Sequence, residues 1–355
     1  GVSVQDGEEQ PQSGEEPCFI PGSIYASQDD ELTLSTDNII VSDDAGEYSL
    51  KLASSQQPFG DSVTLPDEGG ETSIIVSGEH GETTHDVNVV RVAVRESGES
   101  GRINVLIMGD SFVGMGAMPC EVKRLVSDVY GFTNVEFVGT RTARSGEDSV
   151  MSEGRGGYGF ADFLKTDDSQ GRGETVPNPY RTQDEVSLKA YFDENGVETP
   201  DVMVIYMGVN DLTQYGVGEE DAAEVIAARA GQWLELIGGE YPEARILLCG
   251  LVYISDDNGL RDASEFNAQI MRINRAYQSL AESGPLSERL TYVDTASTFD
   301  RNANYDVETI VHEDGATETR QTDWIHPSEE GFRKLAQPIA AALAATLGHI
   351  SDTPS

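Results

Sequence analysis

From residue 101 onward, short apolar runs alternate with helical patterns, and this alternation limits the fold more than any other feature of the chain. The runs fall at Ile103–Met108, Val135–Val138, Val202–Met207, Ile246–Val252 and Leu290–Val293. Largely apolar runs of this length read as strands buried on both faces. Helical patterns lie between or after them, roughly at 115–130, 219–239, 264–283 and 328–347. Such an order predicts a parallel sheet covered by helices on both sides. Five strands suit a flavodoxin-like three-layer α/β/α sandwich. The stretch 140–200 is long, glycine-rich and polar, with a short helical patch near Gln183–Phe192. Loops this long in a compact domain usually serve function.

Ahead of this region the pattern differs. Residues 18–98 carry short alternating or apolar runs at Glu31–Leu34, Ile39–Val41, Tyr48–Leu52, Ser73–Val76 and Val87–Val94. Clusters of Asp, Gly, Ser and Pro separate them, which predicts a small all-β, sandwich-like module. Residues 1–17 lack periodicity and are rich in Glu, Gln, Gly and Pro, the composition of an acidic flexible tether. That tether resembles the segment after a cleaved signal or lipid anchor, so the expected setting is secreted or cell-surface, in a bacterium. The first 100 residues hold 21 acids and 3 bases, against 42 and 20 in the remaining 255. This drop in charge density places a boundary near Glu96–Gly101, with a catalytic domain expected over 101–350.

The full chain has 63 acidic and 23 basic residues, a formal net charge of −40. A field of that sign repels nucleic acid and anionic lipid. No apolar run approaches the roughly 20 residues of a membrane span. Only 5 of the basic residues are lysine, a surface that fits either high salt or an ordinary acidic extracellular setting. Cys18, Cys120 and Cys249 are an odd set without zinc-ligand spacing, so at least one stays outside any disulfide within the chain. The acidic pairs Asp43-Asp44, Asp167-Asp168 and Asp256-Asp257 lack the framework of a calcium loop and read as solvated charge. No phosphate-binding loop is present, and neither a metal nor a cofactor is expected.

In a doubly wound sheet, ligands bind at the carboxyl ends of the strands. The first apolar run is followed by Gly109-Asp110-Ser111 and the third by Gly208-Val209-Asn210-Asp211. Beyond the fifth comes Asp323-Trp324-Ile325-His326-Pro327, just before the last helix. A hydroxyl, an amide, a carboxylate and an imidazole are thereby expected at one rim. Ser111 is a candidate nucleophile, since a serine hydroxyl attacks an ester once an adjacent base takes its proton. His326 is the candidate base. Asp323, three residues earlier, is the candidate orienting carboxylate, with Asp294 and Asp300 as nearby alternatives. The oxyanion needs preorganised donors. Candidates are the Ser111 N–H, the Gly157 N–H (with Gly156 as rival) and the Asn210 side chain. Asp110 and Asp211 read as structural caps.

These blocks, with Glu153-Gly154-Arg155-Gly156-Gly157-Tyr158 between the first and third, resemble the SGNH/GDSL hydrolase family over about residues 101–347. The nucleophile block departs mildly, reading Gly-Asp-Ser-Phe rather than Gly-Asp-Ser-Leu. The resemblance implies a metal-independent serine esterase acting through an acyl-serine intermediate. The glycine block, Asn178-Pro179-Tyr180 and Tyr191-Phe192 look like secreted bacterial relatives that deacetylate carbohydrate, so the expected substrate is an acetyl or other short acyl ester on a small molecule or a neutral polysaccharide. Tyr158, Arg155 and Trp324 are candidate pocket residues, and Arg141, Arg144 and Arg155 are cations expected near the rim. Two other readings use the same chain: an acyltransferase with a sugar hydroxyl in place of water, and a non-catalytic carbohydrate-binding or adhesion protein. With His326 as base, activity falls as acid protonates the imidazole. A pH–rate profile that instead keeps rising below about pH 5 points to a carboxylate mechanism.

Overall fold

The computed structural model describes residues 17–42, 45–79, 81–95, 101–143, 149–167, 177–183, 185–256, 262–312 and 315–352. Most of the expected tether therefore lies outside the described residues, as do Arg144 and the acids at 43, 44, 168 and 257.

The N-terminal segment runs β1 (Ser23–Ser27), β2 (Thr33–Ser35), α1 (Thr36–Ile39), β3 (Ser49–Leu52), β4 (Ser62–Thr64), β5 (Gly70–Gly78) and β6 (Gly81–Val92). Four strands form one sheet in the order β1-β6-β5-β3, and β2 pairs β4 separately. Alternation sets its core: Ile74 and Val76 of β5 and Val87 and Val89 of β6 are buried with Leu34 and Leu50. The run Ile39–Val41 was expected as a strand, but it begins in the helical turn α1, and Ile40 bridges Cys18. Phe19, Val41 and Val92 instead join the larger core that follows.

That core surrounds the second sheet. Its elements are β7 (Ile103–Gly109), α2 (Ser111–Gly114), α3 (Ala117–Arg124), β8 (Val135–Val138), β9 (Arg141–Ala143), β10 (Val150–Gly154), α4 (Phe160–Phe163) and α5 (Leu188–Asn195). There follow β11 (Val202–Tyr206), α6 (Val209–Tyr215), α7 (Ala222–Glu240), β12 (Arg245–Cys249), α8 (Ala263–Ser283), β13 (Leu290–Val293), β14 (Val307–Val311), β15 (Thr317–Gln321) and α9 (Glu329–Asp352). Strands β8, β7, β11, β12 and β13 pair in that order and all in parallel. The sheet is larger than the five strands expected: β10 joins β7 in parallel at Glu153–Gly154, and β9 pairs antiparallel with β10, giving seven. Helix α3 packs on α9 and α7 on α8, and these pairs cover the sheet. No described helix is long and apolar enough to cross a membrane.

The parallel order reverses direction at β7. The chain leaves β7 for β8 on one side and later returns to β11 on the other, so the carboxyl ends of β7 and β11 flank the switch point where ligands bind in such sheets. Helix α9 begins after His326, and its alanine-rich face, with Ala336, Ala340, Ala341, Ala342 and Ala344 buried, packs against α3, β12 and β1.

Cys18, Cys120 and Cys249 are joined by no disulfide. The N-terminal segment is held by side chains from the rest of the chain. Arg301, 3% exposed, donates to the Ile40 carbonyl at 3.0 Å and pairs with Asp256 at 3.0 Å. The Arg275 guanidinium donates to the Cys18 carbonyl, and Gln278 accepts the Gly22 N–H at 3.1 Å. Arg301→Ala leaves the Ile40 carbonyl without this donor, so a loss of about 1–3 kcal/mol is expected, read as a lower urea midpoint.

Candidate active site

Strand β7 ends at Gly109, and Asp110 turns the chain into α2. Its Oδ1 accepts the Phe112 N–H at 2.9 Å, which caps that short helix. Ser111 opens the helix and is half-buried. Beside it, β11 ends before Gly208, which has φ 138°, a left-handed value that favours glycine. A Cβ at Gly208 would also lie 2.4 Å from the Tyr277 hydroxyl, which donates to the Met207 carbonyl at 2.9 Å. The next turn presents Asn210, whose Nδ2 donates to the Tyr158 carbonyl at 3.0 Å and points to Asp110 Oδ2 at 3.4 Å. Asp211 faces inward and accepts the N–H groups of Phe160 at 2.7 Å and Ala161 at 2.9 Å, tying this block to the glycine block.

Strand β10 brings the glycine block to the same rim. A Cβ on Gly154 would fall 2.4 Å from the Gly114 nitrogen, so only glycine lets β10 approach α2 this closely. The following Arg155 N–H donates to the Gly109 carbonyl at 2.9 Å.

The third piece arrives from the far end of the chain. Asp323 Oδ1 accepts the N–H groups of Ile325 at 3.0 Å and His326 at 3.1 Å, folding the segment into a tight bend. Its Oδ2 lies 2.7 Å from His326 Nδ1, and Nε2 lies 2.8 Å from Ser111 Oγ. With the ring proton on Nδ1 and donated to Asp323, Nε2 is left to accept the serine hydroxyl. Burial works to raise the Asp323 carboxyl, but the two backbone N–H groups and the imidazole outweigh it and hold it below the usual value. The alternative acids are engaged elsewhere: Asp294 accepts from Ser297, and Asp300 accepts from the N–H groups of Asn302 and Ala303. The Phe112 ring sits 5.6 Å from the imidazole and 5.0 Å from the Tyr206 ring, bracing the histidine.

A cleft of about 240 Å³ opens at Ser111. Gly114, Met115, Arg141, Ser152, Gly154 and Gly156 are among its walls. Gly157 lies in the adjoining turn with φ 80°. The other candidate pocket residues sit differently. Tyr158 is fully buried against Phe163, so its side chain offers no surface to a ligand. Arg155 is 3% exposed and pairs with Glu153 at 3.0 Å; it also donates to the Tyr180 and Tyr191 hydroxyls at 3.2 and 3.1 Å. It is a structural cation, not a rim cation. Trp324 is half-buried and packs edge-on to Phe266. Of the arginines expected near the rim, Arg141 lines the cleft among the described residues, and Arg144 lies outside them.

Sequence reading missed the polar layer beneath the glycine block. Glu153, fully buried, accepts from Arg155, from the Tyr180 hydroxyl at 3.0 Å, and from the Thr140 N–H and hydroxyl at 2.6 Å each. Its one sequence signal is a carboxylate beside a guanidinium two residues on, which most often marks a solvated pair. Among the described residues, no three His, Cys, Asp or Glu side chains are grouped to hold a metal.

A sequence model of the GDSL-like lipase/acylhydrolase family matches residues 107–334. No curated protein sequence matches the chain. Among solved structures, the chain is similar to a family 3 carbohydrate esterase from Clostridium thermocellum, with 18% identity and a TM-score of 0.46, covering 71% of this chain and 100% of that one. A family 3 carbohydrate esterase from Talaromyces cellulolyticus gives 16% identity, a TM-score of 0.46 and coverage of 70% and 100%. A family 2 carbohydrate esterase with a carbohydrate binding domain, from Corynascus thermopiles (Myceliophthora fergusii), gives 16%, 0.44, and coverage of 92% and 90%.

Two buried acids behind the site titrate unusually. Burial, partly offset by the Phe112 N–H and reinforced by the charge of Asp211, pushes the Asp110 carboxyl from 3.8 to about 7. Burial likewise raises Asp211 to about 6, against the pull of the Ala161 and Phe160 N–H groups and Arg229. A carboxyl raised in the folded state contributes stability that is full below its unfolded value and lost as pH rises through its folded value. The melting temperature of the parent chain is therefore expected to fall, relative to Asp110→Asn, as pH rises from about 5 to 8. Parallel melting curves across that range contradict the assignment.

Proposed function

The chain belongs to the GDSL-like lipase/acylhydrolase family, and on that premise we propose that it is a serine esterase removing acetyl or other short acyl groups, with carbohydrate as the alcohol part. One observation carries the reading: the continuous relay from Ser111 Oγ through His326 to Asp323, at 2.8 and 2.7 Å. Ser111 Oγ attacks the ester carbonyl carbon, and its proton passes to His326 Nε2. Asp323 holds the imidazole in the correct tautomer and stabilises the imidazolium. The oxyanion is received by the Ser111 N–H, the Asn210 amide and a glycine N–H of the turn at Gly156–Gly157. Collapse expels the alcohol, which takes the proton from Nε2. Water, deprotonated by the same nitrogen, then releases the acid from Ser111. No step calls for a metal or cofactor.

The lining of the cleft supports a short acyl group: its walls are mostly small residues, Gly114, Ala143, Gly154 and Gly156 among them, beside polar Ser152 and Arg141. The charge of −40 supports an uncharged polysaccharide or small ester over a polyanion. It also fits a place outside the cell.

Three measurements test this. Ser111→Ala abolishes hydrolysis of p-nitrophenyl acetate while leaving the melting temperature near that of the parent. Along p-nitrophenyl esters from acetyl to octanoyl, kcat/KM falls steadily. Asn210→Ala lowers kcat by about 10²–10³ with a smaller change in KM, the signature of a donor used mainly in the transition state.

A further inference from the structure

Ser152 lines the cleft, and its buried hydroxyl is left unused by the reaction just described. It lies in β10, two positions before Gly154. Its partner across the strand pair is Arg141, and Val150 pairs with Ala143. Directly opposed residues share a face of a sheet. This face carries Ser152, Arg141 and Ala143 on the wall of the cleft that also holds Ser111. Met151, one residue earlier, points to the other face, where Thr142 donates to its sulfur at 3.6 Å.

The Ser152 side chain is 1% exposed, and its hydroxyl has no hydrogen-bond partner among the described residues. A buried hydroxyl without a partner is costly, and such groups commonly mark a place where a ligand or an ordered water completes the bond. Glu153, its neighbour in the chain, is by contrast saturated by Thr140, Tyr180 and Arg155.

We propose that Ser152 is a specificity-determining residue whose hydroxyl bonds a free hydroxyl of the substrate close to the ester carbonyl. This deepens the esterase reading and rests on it. A hydroxyl beside an ester is what a partly acylated sugar or polyol presents, and serine can meet it as donor or acceptor. A site built this way favours the substrate that completes the bond, because the analogue without it leaves the buried group unpaired. Arg141, exposed at the outer end of the same face, bounds the subsite on the solvent side.

The test uses three small esters that differ by one hydroxyl. Ethyl acetate has none, 2-hydroxyethyl acetate carries it on the alcohol side, and ethyl glycolate carries it on the acyl side. For the full chain, kcat/KM is expected to be about tenfold higher for one hydroxyl-bearing ester than for ethyl acetate. The arm that shows the preference tells whether the hydroxyl belongs to the alcohol or to the acid. In Ser152→Ala that preference collapses toward one, while the melting temperature holds or rises because an unpaired buried hydroxyl has been removed. Absence of any preference in the parent overturns the proposal. So does a preference that survives in Ser152→Ala, or a lower melting temperature with equal losses on all three esters, which marks a structural role. Loss of all ester hydrolysis in Ser111→Ala tests the esterase reading separately. If Ser111→Ala retains activity, that reading fails whatever Ser152 does.

Discussion

The adjacency of two strand ends underlies everything else in this structure. Strands β7 and β11 pair in parallel from Val105↔Val202 to Gly109↔Tyr206, so their carboxyl ends stop side by side. Ser111 follows one and Asn210 follows the other. The crossover reverses direction between them, which leaves a crevice with no connection running over it. Residues 100 positions apart in sequence thus reach bonding distance, as the contact from Asn210 to Asp110 records. The placement of the proposed nucleophile and of a proposed oxyanion donor follows from strand order before it follows from side-chain choice.

Holding the rim together takes buried polar groups, and each has a specific task. Asp110 caps the helix that begins with Ser111, Asp211 caps the turn after the glycine block, and Asn210 bridges toward both. These acids are raised by burial, so the scaffold keeps carboxyls in an environment that disfavours their charge. Asp323 is the opposite case: half-exposed, and held ionised by two N–H groups and an imidazole. Nearby carboxyls have thus been shifted in opposite directions by their surroundings. The lowered one stands beside His326, where the proposed mechanism would form an imidazolium.

Much of this was legible in the sequence, for a physical reason. A parallel strand buried on both faces must be apolar throughout, so β7, β11, β12 and β13 announced themselves, and the candidate site residues sit just past strand ends or at a helix entrance. What stayed hidden breaks that rule. Strand β10 reads Val150-Met151-Ser152-Glu153-Gly154, with a buried carboxylate, Glu153, that the Thr140–Tyr180–Arg155 network makes tolerable. Partners scattered from Thr140 to Tyr180 leave no local pattern. Strands β14 and β15 escaped notice because they are an exposed ribbon, with Val307 and Val311 open to solvent. Tyr158 and Arg155 looked like pocket residues because they stand in the glycine block. Backbone proximity to the site did not settle which way their side chains turned.

If Ser111 carries the acyl group between two half-reactions, as proposed, the acyl-serine can be trapped. The chain is mixed briefly with p-nitrophenyl acetate, quenched in acid, digested and analysed by mass spectrometry. A single acetyl group is expected on Ser111, appearing within the first turnover and decaying as free acetate accumulates. Substrate turnover with no acetylated serine, or with the acetyl group on another residue, contradicts the proposal.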